Sequence, residues 1–163
     1  MDYLEKLRNS EIRLHEIPYE LRYEICLQAV KRSGWDLRYV PFESITEELC
    51  LKAVSKNPRA LQFVPDNLIT EELCIQAVDQ DGWVLGCVPL ELRTSEMCLK
   101  AVGVDPEAFR YVPSGVKTLD FYSRLMELNP ERSDLVPEEI KIRLWDRERK
   151  QSQVVRKVKG LVL

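Results

Sequence analysis

The sequence has little of what most catalytic and metal sites are built from. It contains a single histidine, His15, and no Gly-rich phosphate loop, His-rich metal motif or nucleophile elbow. We therefore expect no enzyme activity, no metal and no cofactor. No apolar run approaches the length of a membrane span, and the charged first 18 residues lack the apolar segment of a secretory signal. These absences predict a cytoplasmic protein without a membrane span.

Charge is unevenly distributed along the 163 residues, although the shares of apolar (45%) and charged (31%) residues are those of a globular protein. Residues 145–163 contain six Lys or Arg and two Asp or Glu, which gives +4. Because the whole chain carries −3, the other 144 residues carry −7. An acidic body is a poor match for a phosphate backbone, so contact with nucleic acid is expected only at the basic tail.

The strongest positive signal is an internal repeat of 24 residues. Residues 49–72 read LCLKAVSKNPRALQFVPDNLITEE, and residues 73–96 read LCIQAVDQDGWVLGCVPLELRTSE. Self-similarity at a fixed period predicts that the copies stack into one array, with atypical units at its ends. We divide the predicted single repeat domain, 1–163, into a degenerate N-terminal cap unit (2–24), four regular repeats (25–120), a degenerate C-terminal repeat (121–144) and a basic C-terminal tail or helix (145–163).

Each repeat predicts two helices. Thr70 is a favourable N-cap, and the two glutamates after it suit the first turn of a helix that runs to about residue 80. Gly34 and Gly82 stand where a left-handed residue commonly ends a helix. A second, shorter helix is expected at positions such as 59–64, before the next proline. The predicted fold is all-α: an α-solenoid of about six helix-turn-helix repeats in a right-handed superhelical stack.

Alternate copies match each other more closely than neighbouring copies do. Successive turns read Ser-Gly-Trp, Asn-Pro-Arg, Asp-Gly-Trp and Asp-Pro-Glu. At one position of the first helix, successive repeats carry Gln28, Lys52, Gln76 and Lys100. The full unit is therefore predicted to be a pair of helical hairpins, 48 residues long.

The pattern xELCLxAVxxNPxALQFVPDxLxT resembles the tandem helical repeats of bacterial and protist proteins that are grouped as domain of unknown function 4116. The resemblance covers about residues 25–120 and extends more weakly to 144. It implies an all-helical repeat array and a microbial or effector-type context; as an effector, the protein would be delivered to a host cytosol. It brings no catalytic residues with it.

Four of the five cysteines, Cys26, Cys50, Cys74 and Cys98, occupy the same position of successive repeats. Metal ligands stand closer together in sequence than 24 residues, usually as Cys-x-x-Cys or with histidine. Disulfides need Cα atoms within about 7 Å, whereas stacked helices lie about 8–10 Å apart. We therefore expect reduced, buried cysteines in a helix seam. Cys87 replaces an aromatic residue of other copies and is expected in the core or half-buried.

Two rows of side chains differ between otherwise matched copies, and we take them as the candidate partner-binding residues. The turn row consists of Trp35, Arg59, Trp83 and Glu107, and the helix row consists of Gln28, Lys52, Gln76 and Lys100. The tryptophans either pack locally over the turns or anchor a partner, since Trp is enriched at interface hot spots. The helix row is either a solvated face or a ladder of polar contacts to a partner.

These observations favour a non-catalytic scaffold or adaptor that binds another protein along an extended surface. The alternative is nucleic-acid binding through the basic tail. The same tail could instead be a terminal helix whose Val154, Val155 and Val158 cover the last repeat. The sequence specifies neither the identity of the partner nor the oligomeric state.

Overall fold

A computed structural model of the chain describes residues 3–9 and 16–160. Those residues form helices and connections, and none of them belongs to a β-strand, so the prediction of an all-α repeat fold is confirmed. Superhelical handedness stays a prediction. The α-helices are α1 (Tyr3–Arg8), α2 (Tyr19–Arg32), α3 (Glu47–Lys56), α4 (Glu71–Val78), α5 (Ser95–Val104), α6 (Leu119–Leu128) and α7 (Glu138–Gly160).

Residue contacts group the chain into two compact units, Met1–Tyr111 and Val112–Leu163, where the sequence predicted a single repeat domain. The first unit holds α1 to α5, and the second holds α6 and α7. Within the described part of the chain, no helix is both long and apolar enough to cross a membrane. His15 and the other residues of 10–15 belong to the predicted cap unit and lie outside the described residues.

Threonine begins the α-helices of successive repeats, as the sequence predicts. In α4 the Thr70 hydroxyl accepts a hydrogen bond from the Leu73 amide at 3.2 Å. This cap satisfies one of the four backbone N–H groups that every helix start leaves without an intrahelical partner. The same bond forms at the start of α3, α5 and α6. The threonines and the residues that donate to them are Thr46 and Leu49, Thr94 and Met97, and Thr118 and Phe121.

The second helix of each repeat is a 3-10 helix of six residues rather than an α-helix. The expected segment 59–64 largely coincides with Pro58–Phe63, and the Asn57 side chain caps this helix by accepting from the Arg59 amide at 3.1 Å. Equivalent helices in the described chain are Gly34–Tyr39, Gly82–Cys87, Pro106–Tyr111 and Pro130–Leu135. In the first unit each long 3-10 helix packs against the next one, and each α-helix from α2 to α5 packs against its neighbour.

The predicted role of Gly34 and Gly82 as left-handed helix ends is wrong. Neither glycine has a positive φ; each begins a long 3-10 helix, and the residue before Gly34, Ser33, is extended. Both glycines are present because the next repeat approaches too closely for a side chain. A Cβ on Gly82 would lie 2.2 Å from the Ala101 carbonyl oxygen, and one on Gly34 would lie 2.2 Å from the Ala53 carbonyl oxygen.

A third element, absent from the sequence prediction, follows each Val-Pro of three repeats in the first unit. These short 3-10 helices are Phe42–Ser44, Asp66–Leu68 and Leu90–Leu92. The ring of the preceding proline holds that proline's own φ near −60°. Its carbonyl then accepts a hydrogen bond from the amide three residues later, as Pro65 does from the Leu68 amide at 2.8 Å. The three helices bring the chain from one repeat to the threonine cap of the next.

The core of the first unit comes from the face that the repeats share. Leu49, Cys50, Ala53 and Val54 of α3 are fully buried, and their counterparts in α4 and α5 are buried with them. The second unit is built around Phe121 and Leu125 of α6 with Leu144 of α7. Small Cys and Ala allow neighbouring helices to approach closely while the larger residues remove apolar area from water.

Helix α7 crosses the predicted boundary between the last repeat and the tail without interruption. It begins at Glu138 inside the last repeat and continues to Gly160. The prediction that valines of the tail cover the last repeat is wrong for Val155, which is exposed; the side chains of Val154 and Val158 lie outside the described residues. With polar and charged residues at every position from 146 to 153, α7 offers few apolar atoms to bury there.

Candidate functional site

The turn row contains a contact cluster around Trp83. The Arg59 Nε donates to Asp81 Oδ2 at 2.6 Å, and the Arg59 guanidinium carbon lies 5.3 Å from the centroid of the Trp83 ring. The other Asp81 oxygen accepts from the Trp83 amide at 3.1 Å. Asp81 therefore caps a 3-10 helix and positions the arginine at the same time, and the arginine is close enough for a cation–π interaction.

Both tryptophans of the turn row pack on an aromatic ring of the next repeat. Trp83 meets Tyr111 edge to face, with ring centroids 5.4 Å apart, and Trp35 meets Phe63 in the same way at 5.6 Å. The first of the two roles considered for the tryptophans, local packing over the turns, is therefore present. Even with Arg59 over its ring and Tyr111 against it, Trp83 exposes 37% of its surface.

Glu107 is the fourth member of the turn row and stands apart from this cluster. It is exposed at the start of the helix Pro106–Tyr111, where its amide donates to Asp105 Oδ1 at 2.9 Å. Its carboxylate lies in the first turn, where the helix dipole favours negative charge. The hydrogen bond from its amide fixes the Glu107 backbone at the helix start. No described residue forms an ion pair with its side chain.

The helix row is mostly solvated, and one member reaches the neighbouring repeat. Gln28 and Lys52 are exposed and Gln76 is half-buried. Lys100 Nζ pairs with Asp79 Oδ1 at 3.4 Å. Asp79 lies only two residues before Asp81, so Arg59 of the turn row and Lys100 of the helix row contact the same connection between helices. This connection contacts Arg59 of the preceding repeat and Lys100 of the following one.

Sequence reasoning missed Arg93, which supports the cluster through the backbone. Its half-buried guanidinium donates to three backbone carbonyls: those of Val88 at 2.8 Å, Tyr111 at 2.8 Å and Gly86 at 3.2 Å. These bonds tie the end of one long 3-10 helix to the end of the next. The available signal was a departure from the repeat, because Arg93 stands where Ile45 and Ile69 stand in earlier copies.

The surroundings of four of the five cysteines favour the neutral thiol. Burial raises the pKa of Cys50 and of Cys74 to about 11, and it raises the pKa of Cys26 and Cys87 as well. All are free, four of the five are buried, and Cys87 is half-buried, as predicted. A nucleophilic or metal-binding cysteine needs its thiolate. Across residues 3–9 and 16–160, no group of three or more His, Cys, Asp or Glu side chains is placed to hold a metal ion.

The short 3-10 helices carry a second exposed surface that sequence reasoning did not single out. Phe42 exposes 70% of its surface and Leu90 exposes 66%, and they are 48 residues apart at matched positions after a proline. Exposed acidic residues accompany them. We call the set formed by Phe42, Glu43, Asp66, Leu90 and Glu91 the short-helix edge. Beside it lies an open groove of about 630 Å³, lined by Asp66, Ile69 and residues 87–93.

Comparison with known proteins agrees with the repeat architecture. The family model described as domain of unknown function DUF4116 matches residues 23–69, 46–93 and 70–117. These windows are 47 or 48 residues long and begin 23 or 24 residues apart, so each spans two of the 24-residue repeats. No curated protein and no solved structure matches the chain. Through these overlapping matches, which together cover residues 23–117, the chain belongs to the DUF4116 family.

Proposed function

We propose that the protein is a non-catalytic, cytoplasmic repeat scaffold that binds another protein through the turn row and the helix row. The observation that supports it best is that one connection between helices contacts a member of each row. Arg59, the connection from Asp79 to Trp83, and Lys100 come from three successive repeats and are linked by two ion pairs. A partner that contacts this place would meet side chains of several repeats at once.

The chemistry of the cluster suits recognition rather than a reaction. Trp and Arg are among the residues most enriched at binding hot spots, and here each already has a defined position. The hydrogen bond and charge of Asp81 raise the pKa of Arg59, so the guanidinium stays cationic. Because the surface forms by folding alone, a partner would bind it with little loss of side-chain freedom.

The proposal is tested by capture of partners from a native host and by comparison of variants. Arg59→Ala combined with Lys100→Ala removes both ion pairs while it leaves the aromatic contacts in place. We expect a specific partner to be lost by this variant and retained by Lys56→Ala, which removes an exposed cation at the end of α3 that belongs to neither row. Equal capture by the wild type and both variants would refute the proposed surface.

The tryptophans require a milder test than alanine, because each supports the next repeat. Trp83→Phe keeps an aromatic ring against Tyr111 but removes the indole N–H and part of the exposed surface. If Trp83 anchors the partner, this variant weakens binding while the melting temperature changes little. If binding is unchanged, the local packing is the whole role of Trp83.

Nucleic-acid binding is the second candidate function, and helix α7 is the observation that favours it. Every residue from 145 to 153 is exposed, and residues 149–160 contain five basic residues and no acidic one. Such a helix suits a phosphate backbone. Removal of residues 145–163 should abolish salt-sensitive binding to duplex DNA or RNA. A full-length chain that binds neither at low salt would exclude this function.

A further inference from the structure

We infer that the partner protein is bound through an acidic segment, which lies on the 3-10 helices Gly34–Tyr39 and Pro58–Phe63. We call the exposed and half-buried side chains of these helices the basic face; they are Trp35, Arg38, Tyr39, Arg59 and Gln62. The inference rests on the proposed function and deepens it, because it names the chemistry of the partner. It adds Arg38 and Tyr39 to the two rows already described.

Formal charge changes sign along the array where each α-helix gives way to a long 3-10 helix. Residues 31–39 and 55–63 contain five Lys or Arg and one Asp, which gives +4. The matching residues 79–87 and 103–111 contain one Arg and four Asp or Glu, which gives −3. Because the chain outside the tail carries −7, the first two stretches are cationic within acidic surroundings. An acidic partner is attracted to these stretches and repelled by the rest of the first unit.

Most of these cations are not neutralised within the described part of the chain. Four of them are exposed and form no ion pair with a described residue: Lys31, Arg32, Arg38 and Lys56. The single carboxylate of these stretches, Asp36, is buried. By contrast, Asp79 and Asp81 of the next repeat already pair with Lys100 and Arg59. The charge left for a partner is therefore positive.

The 3-10 helices, rather than the ends of the α-helices, provide the positioned cations. Lys31, Arg32 and Lys56 lie in the last turns of α2 and α3, where the helix dipole favours positive charge, and they raise the local potential. The Arg38 guanidinium carbon lies 4.5 Å from the centroid of the Tyr39 ring, and the guanidinium also donates to the Tyr39 hydroxyl. Its remaining N–H groups can donate to one carboxylate through two parallel hydrogen bonds.

The members of the basic face point to the same side of the two helices. Side chains three residues apart eclipse each other in a 3-10 helix, so Trp35 lies beside Arg38 and Arg59 lies beside Gln62. The residues between them are buried. The two helices pack against each other, and the rings of Trp35 and Phe63 meet between them at 5.6 Å. One segment can therefore contact both arginines, the amide and the aromatic rings.

Carboxylates suit this face better than a nucleic acid does. Single-stranded nucleic acids stack their bases on open aromatic rings. Here Arg38 covers one side of the Tyr39 ring, and the half-buried rings of Trp35 and Phe63 pack edge to face. A long polyanion would also reach residues 79–87, which carry −2. A peptide with a few carboxylates can satisfy the arginines and end before that stretch.

The test uses a random peptide library displayed on phage, selected on the immobilised full-length chain at low salt. We expect the selected peptides to be enriched in Asp and Glu. Synthetic copies should bind the wild type in fluorescence polarisation, and their affinity should fall as salt screens the charges. Arg38→Glu should weaken binding about tenfold, because it places like charges opposite one another.

Two further variants show whether the arginine itself is recognised. Arg38→Lys keeps the charge but lacks the planar fork, so it should weaken binding less than Arg38→Glu and more than no substitution. Arg124→Glu is the matched control, because Arg124 is an exposed arginine of α6 outside the first unit, and it should leave the affinity unchanged. Because both arginines are exposed, melting curves should show that the variants remain folded.

Selected peptides without an excess of Asp and Glu, or no selected peptide at all, would overturn the inference. Acidic peptides that bind Arg38→Glu as well as the wild type would overturn it too, since their contact would lie elsewhere. Sedimentation of the full-length chain tests whether a second copy is the acidic occupant. Self-association that Arg38→Glu abolishes would show that it is, and would refute the assignment to a separate partner.

The outcome is distinguishable from that of the proposed function. A native partner that is lost by Arg59→Ala with Lys100→Ala but retained by Arg38→Glu would leave the proposed surface intact and overturn the acidic contact at Arg38. Acidic peptides that depend on Arg38, together with a native partner that the double variant retains, would refute the two rows and leave the basic face as the binding site.

Discussion

Replacement of Gly82 by alanine tests whether the repeats stack as closely as the structure indicates. The new Cβ would lie 2.2 Å from the Ala101 carbonyl oxygen and 2.9 Å from the Asp105 amide nitrogen. Both atoms belong to the backbone at the end of α5, where they are hydrogen-bonded to each other at 2.8 Å. Neither can rotate away as a flexible side chain would. The two repeats must therefore move apart.

The size of the effect follows from that movement. Ordinary contacts of a Cβ begin at 3.4 Å, so the carbonyl oxygen is 1.2 Å too close and most of that distance must be opened. A gap of about 0.5–1 Å removes a quarter to a half of the attraction between packed atoms. Overpacked cores lose about 1–3 kcal/mol, and a clash with backbone belongs at the upper end, about 3 kcal/mol. For a chain of this size the melting temperature should fall by roughly 6–12 °C.

The assay is urea and thermal unfolding of the wild type, Gly82→Ala and Gly115→Ala. Gly115 is the matched control, because a Cβ there would meet no atom within 4 Å and its φ is not positive. Its alanine variant should be neutral or more stable by about 0.4–1 kcal/mol, since alanine restricts the unfolded chain. If Gly82→Ala proves as stable as Gly115→Ala, the close approach to α5 is absent and the explanation of this glycine is wrong.

Three further predictions concern the thiols, the caps and Arg93. Burial raises the pKa of Cys50 and of Cys74 from 9.0 to about 11, so the stability that each protonated thiol contributes is complete below pH 9 and is lost as the pH rises towards 11 and above, by roughly 3 kcal/mol per thiol. Urea unfolding of a chain with Cys50→Ala and Cys74→Ala should lack this part of the decline. Thr70→Ala removes a helix cap and should cost about 1 kcal/mol in the same assay, against no change for Thr70→Ser. Arg93→Met should lower the free energy of unfolding by about 2–4 kcal/mol, because three carbonyls lose a charged donor. Tryptophan fluorescence should also change as the surroundings of Trp83 change, and an unchanged spectrum with unchanged stability would contradict this role of Arg93.

The α-helices were predictable because their signals are local. A threonine cap, acidic residues in the first turn and an apolar face are all read within about ten residues, and each acts on the backbone beside it. The structure begins α4 at Glu71, directly after Thr70, and buries Cys74 and Ala77 as the pattern required. The same locality explains why the burial of the cysteines was predictable.

The functions of the glycines and the turn row were not predictable in this way, because they depend on neighbours from another repeat. In sequence, Gly82 looks like the residue that ends a helix. The structure instead requires glycine there because the Ala101 carbonyl, 19 residues away, leaves no room for a side chain. The variable positions of the turn row were visible, but the pairing of Arg59 with Asp81 and of Trp83 with Tyr111 was not. Nor did any local signal show that Leu90 would be exposed after its proline while Val88 before it is buried.

The sequence by itself determined the period, the all-α class, the helix starts and the buried face, since these follow from short-range backbone preferences and from apolar spacing. Tertiary structure alone decided which side chains of different repeats meet and which remain exposed. The physical reason is that stacking brings residues 18 to 28 positions apart into contact, and those contacts are set by the geometry between repeats rather than by the conformation of any one of them.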